Sequence, residues 1–501
     1  MQYMGKKYYL VSTVGLLMHL VLYAQTGMIE SIPANLASSG TVFLNTDSSL
    51  KKNVFIIGDI IITGGKKTKS YIIEREVPFK IGDSVALTEL VQRFDVAKRQ
   101  LMNTRLFNDV VVYLKSFNGY LVEVQIDVKE RWYIFPIPYF KPIDRNLSEW
   151  AKQGYGLQRV NYGAKLSLYN FTGRTDKLKA WFVTGYTRQI QLSYEQPNAD
   201  KSLKHGYGFN VSYSTAKEIN HLTLNNEQKF IPGIRQLSPA DSIYGGLFRG
   251  QVLNEQFNAS LSYTYRPAIR TRHSVRLGYN INRIDQAVAI LNPKYFNKGK
   301  LNISYPEISY TVSYNNIDYV AYPLKGFIGD ATISRAGIHS DMNIWQLSVK
   351  GTRGWQIGSQ TYFGLQGYGV LKLPFDQPYY TQRLFGYGDL YLRGLEKYVI
   401  DGVAGIMVRN TFRWHSFDFS IPFGLSKSHD RIPFHIYYKT YADMGYSYNK
   451  NFPQNSLVNR MLYTAGAGID IVTLYDVVFR FEYSCNQLGQ KGLFLHFKND
   501  F

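Results

Sequence analysis

The feature that most constrains this chain is an alternation of large apolar residues with small or polar residues, which recurs from about residue 135 to the end. In residues 207–214 the odd positions are Tyr, Phe, Val and Tyr, and the even positions are Gly, Asn, Ser and Ser. The segments 257–265, 308–315 and 477–484 repeat this pattern. Because side chains alternate between the two faces of a β-strand, each segment predicts a strand with one apolar and one polar face.

Two kinds of β-sheet protein show this alternation, and the polar face distinguishes them. In a soluble sandwich one face of each sheet packs into a dry core. Here the polar face includes Arg, Glu, Lys and Asn, which a dry core would leave unsatisfied but a wet barrel lumen would hydrate. The 41 Tyr residues also suit strands that meet a membrane interface. We therefore predict an all-β transmembrane barrel of about 16 antiparallel strands over residues 133–501.

The N-terminus has the composition of an export signal. Two lysines precede a mostly apolar stretch over residues 8–23, and Ala24 follows it. The stretch is too short for a comfortable membrane-spanning helix, so we predict a signal peptide over residues 1–24, with an uncleaved anchor as the alternative. Residues 25–51 are rich in Ser, Asn, Thr and Gly and predict a flexible leader. Because no other uncharged run of 18 or more apolar residues exists, a mature chain in a membrane would cross it with strands.

Residues 52–132 predict one small α+β domain. A β-rich run that ends at Gly65 is followed by apolar residues at helical spacing, which are Leu90, Val91, Phe94, Ala97 and Leu101. Asn118-Gly119 is a strong hairpin signal, and the strand after it alternates cleanly. The order of strand, helices, strand, hairpin and strand resembles the POTRA (polypeptide-transport-associated) domain. The segment 103–110 resembles the POTRA helix-to-strand turn, although Arg105 stands where the family usually has Gly.

The POTRA resemblance implies a periplasmic domain that handles unfolded polypeptides. The strand from Val110 to Lys115 would then lie at the edge of the domain's sheet. An exposed strand edge can pair with an extended client through backbone hydrogen bonds. The residues that we expect to mark this client-binding edge strand are Val110, Val112 and Leu114.

Several motifs in the second part of the chain resemble those of the superfamily that contains BamA, TamA and FhaC, the outer-membrane insertases and two-partner translocators. Residues 384–395, with Asp401-Gly402 after them, resemble the Arg-Gly signature of the family's long sixth loop. Residues 441–445 resemble its Phe-x-Asp-x-Gly strand motif, and residues 170–176 resemble its early hairpin. The resemblance implies a bacterial outer-membrane protein with its POTRA domain in the periplasm. Because the chain has room for one POTRA domain, it resembles a small relative that serves a narrower set of clients.

The resemblance also implies that the sixth loop folds back into the barrel and is held there by Arg393. A guanidinium can meet a carboxylate through two parallel hydrogen bonds, and Asp443 is the expected partner. The remaining residues of this predicted lock are Gly394, Leu395 and Gly445. The alternative is that Arg393 is an ordinary loop arginine. The family usually has Asn-x-Glu-x-Arg after the loop, but Phe412 stands at the Glu position, so the second acidic contact is missing there.

The last nine residues form a further amphipathic strand. Its apolar face contains Leu493, Leu495, Phe497 and Phe501, and its polar face contains His496, Lys498 and Asp500. A terminal Phe in this phase resembles the C-terminal signal that outer-membrane barrels present to their assembly machinery. We therefore expect Phe497 and Phe501 to belong to a barrel signal.

The sequence offers no pattern for enzymatic chemistry. It has no G-x-S-x-G or P-loop motif, and one cysteine with scattered histidines gives no metal-ligand spacing. We predict no catalytic residue, metal or other cofactor. The net charge of +20 allows either a basic surface that faces anionic lipid or a solvated lumen and periplasmic face that are rich in lysine. The partners that we expect are outer-membrane lipid and lipopolysaccharide, unfolded client polypeptides and accessory lipoproteins, without nucleic acid.

Two functions remain open at this point. The first is an insertase or translocase whose first and last barrel strands part so that a client strand can enter the bilayer. The second is a passive pore, or a scaffold for a larger envelope complex, without translocase activity. The seam between the first and last strands distinguishes them, because a translocase needs a weakly bonded seam and a passive pore needs a fully paired one.

Overall fold

The computed structural model describes residues 54–142, 160–231, 252–296, 298–339, 341–426, 429–450 and 455–498. The predicted signal peptide, the predicted leader and Phe501 lie outside the described residues. Most strands belong either to a four-stranded N-terminal sheet or to a sixteen-stranded antiparallel sheet. The predicted fold, a barrel of about 16 strands behind a small α+β domain, is therefore confirmed.

The N-terminal domain contains four strands and two helices. They are β1 (Val54–Thr63), α1 (Ser70–Glu76), β2 (Ser84–Ala86), α2 (Leu87–Asn103), β3 (Phe107–Asn118) and β4 (Leu121–Glu130). The sheet order is β2-β1-β4-β3, and β1 runs parallel to β4. The core combines alternate residues of β4 with one face of α2, which includes Leu90, Ala97 and Leu101. Val91, predicted on that face, is 56% exposed because it is rotated about 100° from Leu90 around the helix.

The barrel strands pair with one another in chain order, and each pair is antiparallel. Their bounds are β5 (Ile134–Pro142), β6 (Val160–Tyr169), β7 (Lys177–Gly185), β8 (Thr187–Gln196), β9 (His205–Ala216), β12 (Asn254–Tyr265), β13 (Thr271–Ile284), β14 (Asn302–Ile317), β15 (Gly326–His339), β16 (Met342–Gln356), β17 (Thr361–Leu373), β20 (Ala404–Ser426), β21 (His429–Tyr448), β22 (Met461–Thr473), β23 (Val478–Asn486) and β24 (Lys491–Lys498). The connections contain β10 (Asn220–Leu224), β11 (Glu227–Phe230), α3 (Gln286–Leu291), β18 (Arg383–Phe385) and β19 (Ile400–Asp401).

A contact across the interior shows that the large sheet is curved. Tyr322 lies in the turn between β14 and β15, and Asp470 lies on β22. In a flat sheet these strands would be at least ~24 Å apart, since neighbouring strands are spaced about 4.8 Å apart. The Tyr322 hydroxyl nevertheless donates to Asp470 Oδ2 over 2.8 Å. The sheet therefore curls into a barrel, and Tyr322 reaches across its interior.

Burial follows the alternation that the sequence shows. On β9, the predicted outward residues Tyr207, Phe209, Val211 and Tyr213 are all exposed on the barrel's outer surface. On β21, Lys439 and Asp443 face inward and are buried, whereas Tyr438 before Lys439 and Met444 after Asp443 are exposed. The barrel thus has an apolar outer surface and a polar interior, the arrangement that lipid outside and water inside require. Among the described residues, no helix has the length and hydropathy needed to cross a membrane.

Candidate functional site

The connection between β17 and β20, residues 374–403, packs into the barrel as a folded unit; we call it the sixth loop. Its apolar side chains form a cluster with the barrel wall that includes Phe385, Leu392 and Leu395, each 1–2% exposed. Met407 on β20 and Leu462 on β22 belong to the same cluster. A loop this apolar gains stability by leaving water, so burial against the inner wall accounts for its fold.

Arg393 of the sixth loop meets Asp443 on the inner face of β21. The guanidinium donates from Nη2 to Asp443 Oδ1 over 2.5 Å and from Nε to Oδ2 over 2.9 Å. The backbone N–H of residue 393 donates to the same carboxylate over 3.0 Å. The Asp443 side chain is fully buried, and the guanidinium also lies 3.9 Å from the ring centre of Tyr441. The two predicted lock residues therefore form a buried bidentate ion pair, which is among the strongest hydrogen-bonded pairs in proteins.

A second acid lies near the same arginine, but it comes from a strand that the family motif did not indicate. Glu482 on β23 has Oε1 4.0 Å from Arg393 Nη1. Phe412, where the family's Glu is missing, is 43% exposed on the outer face of β20, so an acid there would point away from the loop. The sequence signal for Glu482 was its place on the polar face of an alternating strand.

The two acids belong to a larger buried network of charges. Lys439 Nζ lies 2.5 Å from both Glu482 Oε1 and Asp470 Oδ1, and all three side chains are 2% exposed. Arg409 Nε lies 3.9 Å from Asp443 Oδ2. Each of these three cations thus has a carboxylate oxygen within 4.0 Å at the inner wall, as buried charges require.

The glycines of the predicted lock occupy crowded positions. Gly394 has φ +93°, a conformation that favours glycine, and a Cβ there would lie 2.9 Å from the Cβ of Ser484. Its carbonyl accepts a hydrogen bond from Asn486 Nδ2 over 2.7 Å. A Cβ on Gly445 would lie 3.3 Å from Leu392 Cδ2 of the sixth loop and 3.2 Å from the carbonyl oxygen of Ile406 on β20, a tight but smaller conflict. Both glycines therefore allow the loop and the wall to approach closely.

The predicted client edge strand is β3, which pairs with β4 and forms one end of the four-stranded sheet. Val110 is fully buried, and Val112 and Leu114 pack against the domain core. The exposed apolar side chains of this strand are instead Val111, Tyr113 and Phe117. A client that paired with β3 would thus use the strand's backbone and touch these three side chains.

The C-terminal barrel signal is only partly described. Phe497 lies on β24, is 55% exposed on the outer surface, and has its ring centre 5.2 Å from that of Phe479 on β23. Phe501 lies outside the described residues.

The N-terminal domain contacts turns that connect barrel strands, a feature that the sequence did not indicate. Arg131, just after β4, donates to Asp476 in the β22–β23 turn over 2.8 and 3.2 Å. Glu76 of α1 accepts two hydrogen bonds, of 2.5 and 2.8 Å, from Arg266 between β12 and β13. Burial alone would raise the pKa of the Asp476 carboxyl, but the hydrogen bonds and charge of Arg131 outweigh it and hold that pKa below its ordinary value.

Two groups among the described residues could offer three metal ligands. His415, Asp418 and His435 bring their ligand atoms within 4.8 Å of one another, as do Glu396, Glu482 and His496. In the first group, however, Asp418 Oδ1 is already hydrogen-bonded to both imidazoles, over 2.6 and 2.7 Å. The first group is therefore satisfied by its own hydrogen bonds. In the second group, His496 Nε2 lies 3.4 Å from Glu396 Oε1 and 3.3 Å from Glu482 Oε2.

Comparisons with known proteins match both parts of the chain. The family model described as the Omp85 superfamily domain matches residues 170–483, and the model described as a surface antigen variable number repeat (POTRA) matches residues 55–131. No curated protein sequence matches the chain.

Three solved structures align with most of the chain, each with a TM-score below 0.5. BamA from Haemophilus ducreyi lacking POTRA domains 1–3 has a TM-score of 0.47 and 16% identity, over 88% of this chain and 84% of that chain. CdiB from Escherichia coli has a TM-score of 0.47 and 12% identity, over 91% and 92% of the two chains. CdiB from Acinetobacter baumannii has a TM-score of 0.46 and 13% identity, over 89% of this chain and 73% of that chain.

Proposed function

The chain belongs to the Omp85 superfamily of outer-membrane barrels, and from this premise we propose that it assists the insertion or translocation of client polypeptides at the outer membrane. The POTRA domain captures an unfolded client in the periplasm, and the barrel passes it into or across the bilayer. The process moves a polypeptide and makes or breaks no covalent bond, so it needs no catalytic residue or cofactor.

The observation that carries this proposal is the position of β3 in the POTRA sheet. The strand is twelve residues long and pairs on one side with β4, and in the described sheet it has no neighbour on the other side. A long unpaired edge is a template for adding another strand, a hazard that soluble proteins usually cover. Exposed Val111 and Tyr113 beside that edge favour an extended client with apolar residues.

The sixth-loop lock has a supporting role in this proposal. Insertion requires the barrel wall to deform while its inner lining keeps its shape. The Arg393–Asp443 pair ties the loop to β21, and Glu482 adds β23 to the same network. We propose that the lock keeps the loop and these C-terminal strands together as one rigid wall when the wall opens elsewhere. Lipid, lipopolysaccharide and accessory lipoproteins remain predicted partners of the same process.

Site-specific photocrosslinking in cells tests the proposal. A photoreactive residue at Tyr113 is expected to capture unfolded outer-membrane polypeptides during their export. The matched control is a photoreactive residue at Val91, which is also exposed and apolar but lies on α2, away from the edge. Equal capture at both positions, or none at Tyr113, would contradict client capture by β3 and favour a passive pore or scaffold.

A further inference from the structure

A β-bulge in β20 brings two side chains of the metal-ligand type onto one face of the strand. The register between β20 and β21 shifts between His415 and Phe417, so that Ser416 is an extra residue without a cross-strand partner. In a regular strand, residues three apart direct their side chains to opposite faces. The extra residue shifts this alternation by one position, and His415 and Asp418 therefore share a face.

The strand register supplies a third side chain on the same face. His435 on β21 lies directly opposite Asp418. Oδ1 of Asp418 lies 2.7 Å from His435 Nδ1 and 2.6 Å from His415 Nε2. The His415 ring also stacks on the Tyr437 ring, with their centres 4.8 Å apart, and this contact fixes its orientation. Two imidazole nitrogens and one carboxylate oxygen thus converge on one point.

The charges around this group differ from those around the second histidine-containing group. In the second group, Glu482 already has Lys439 at 2.5 Å and Arg393 at 4.0 Å. Among the described residues, Asp418 makes ion pairs with the two histidines and with no lysine or arginine. A divalent cation would therefore meet the Asp418 carboxylate without competition from a permanent positive charge.

The group lies where β20 extends beyond one of its two neighbours. Strand β17 pairs with β20 as far as Trp414, and the N–H of His415 donates to the carbonyl of Gln360 over 2.8 Å. From residue 416 onward, β21 is the one neighbour of β20 in the described sheet. The three side chains are 23–52% exposed, so an ion can reach them from solvent. A two-stranded ribbon of this kind is only marginally stable by itself.

The donor atoms suit a divalent transition metal. Ca²⁺ and Mg²⁺ prefer sets of oxygen ligands, whereas imidazole suits Zn²⁺ and its first-row neighbours. Zinc sites with three protein ligands keep a fourth position for water. Ligand atoms in a tetrahedral zinc site lie about 3.3 Å apart, so each His–Asp separation needs to widen by about 0.6–0.7 Å. Metal binding then replaces the two hydrogen bonds, and each imidazole keeps a proton on its other ring nitrogen.

We propose that His415, Asp418 and His435 form a binding site for a first-row divalent transition metal, with water as the fourth ligand. The ion ties β20 beyond its bulge to β21 and stabilises the ribbon. The β20–β21 and β22–β23 connections lie at the same end of the antiparallel sheet, so the site is at the barrel end that contacts the POTRA domain. The sequence predicted no metal site, because these three positions converge only through the bulge and the strand register.

Titration calorimetry with Zn²⁺ alone tests the site. The full chain is purified in detergent without a histidine tag and is stripped of metal with a chelator. We expect one Zn²⁺ to bind per chain. His435→Ala and Asp418→Asn are each expected to weaken binding by more than about 100-fold, because loss of a residue that only orients a metal ligand already costs about 10–100-fold. Asp418→Asn keeps the size of the side chain, and heat-dependent mobility on semi-native gels checks the folding of each variant.

Two further histidine variants make the assignment specific. His205→Ala is the matched control, since the ring of His205 is hydrogen-bonded to the Tyr263 hydroxyl over 2.6 Å on another strand, and Zn²⁺ binding is expected to stay unchanged. His496→Ala removes a member of the second group. Absence of Zn²⁺ binding by the unaltered chain would overturn the proposal, as would binding that is lost in His496→Ala and retained in folded His435→Ala.

Hydrogen exchange tests the stabilising role of the ion. At a Zn²⁺ concentration about 100 times its Kd, exchange of the β20 amides beyond residue 416 is expected to slow by up to about 100-fold, the factor by which binding lowers the open population. The same amides in Asp418→Asn should show no response to Zn²⁺. If Zn²⁺ binds but leaves their exchange in the unaltered chain unchanged, the ion does not stabilise the ribbon and this part of the proposal is wrong.

Discussion

Replacing Arg393 with alanine perturbs the sixth-loop lock at its centre. Removing one partner of a buried ion pair costs about 3–5 kcal/mol, because the other charge stays buried without compensation. Asp443 is fully buried, but it would keep the backbone N–H of residue 393 at 3.0 Å and Arg409 at 3.9 Å. We therefore expect Arg393→Ala to lower the free energy of unfolding by about 3 kcal/mol, at the lower end of that range.

Urea denaturation of the barrel refolded in lipid vesicles measures this loss, and heat-dependent mobility on semi-native gels reports it in cells. A double-mutant cycle with Asp443→Ala isolates the pairwise term. Because the two side chains touch directly, we expect a coupling energy of about 2 kcal/mol rather than additive losses. Limited proteolysis of the sixth loop shows whether the loop itself is released.

The matched control is Arg283→Ala. Arg283 Nη1 lies 3.7 Å from Glu255, but the arginine side chain is 64% exposed. Solvent weakens such a pair, so its removal is expected to change stability by at most ~0.5 kcal/mol. If Arg393→Ala behaves like this control and the loop stays protected from protease, the ion pair does not hold the loop and the reasoning is refuted.

Three further predictions address other parts of the molecule. Gly394→Ala is expected to lower the free energy of unfolding by about 1–2 kcal/mol in the same urea assay, because the backbone at this position has a positive φ. Adding Ser484→Gly removes the steric conflict with the new Cβ but not the backbone strain. If it restored the full stability, the backbone argument would be contradicted. Lys439→Met removes the cation that lies 2.5 Å from Asp470 and Glu482, and is expected to cost about 3–5 kcal/mol. Asp470→Asn in the same chain should recover part of this loss, and a stable single variant would refute the network. The Arg131–Asp476 contact is expected to weaken in acid. The pKa of Asp476 in the folded protein is below its ordinary value, so the stabilisation by this contact is complete above the ordinary carboxyl pKa. It is lost as the pH falls through the lowered pKa. Distances between spin labels on the POTRA domain and the barrel should report this, and Asp476→Asn should abolish the pH dependence.

The POTRA–barrel contacts add a constraint to the proposed function. Arg131–Asp476 and Glu76–Arg266 join the domain to turns on two well-separated strand pairs of the barrel. A client captured on β3 would therefore be held at a defined position relative to the barrel wall. Such positioning favours transfer of the client from the POTRA domain to the barrel.

Local pattern was sufficient to predict the barrel, because a strand's two faces depend only on residue parity. Phe481 and Tyr483 are exposed and Glu482 and Ser484 are buried, as the alternation from residue 477 to 484 indicates. The same parity explains why an acid at Phe412 could not have reached the loop.

The sequence by itself determined which residues face lipid and which face the lumen, since that choice repeats every two residues along each strand. Only the tertiary structure decided which inward charges meet. Arg393, Asp443 and Glu482 come from a loop and two strands separated by dozens of residues, and their approach depends on the register of the strands and the curvature of the sheet. Neither quantity is encoded locally, because register and curvature arise when all sixteen strands pair around one common interior.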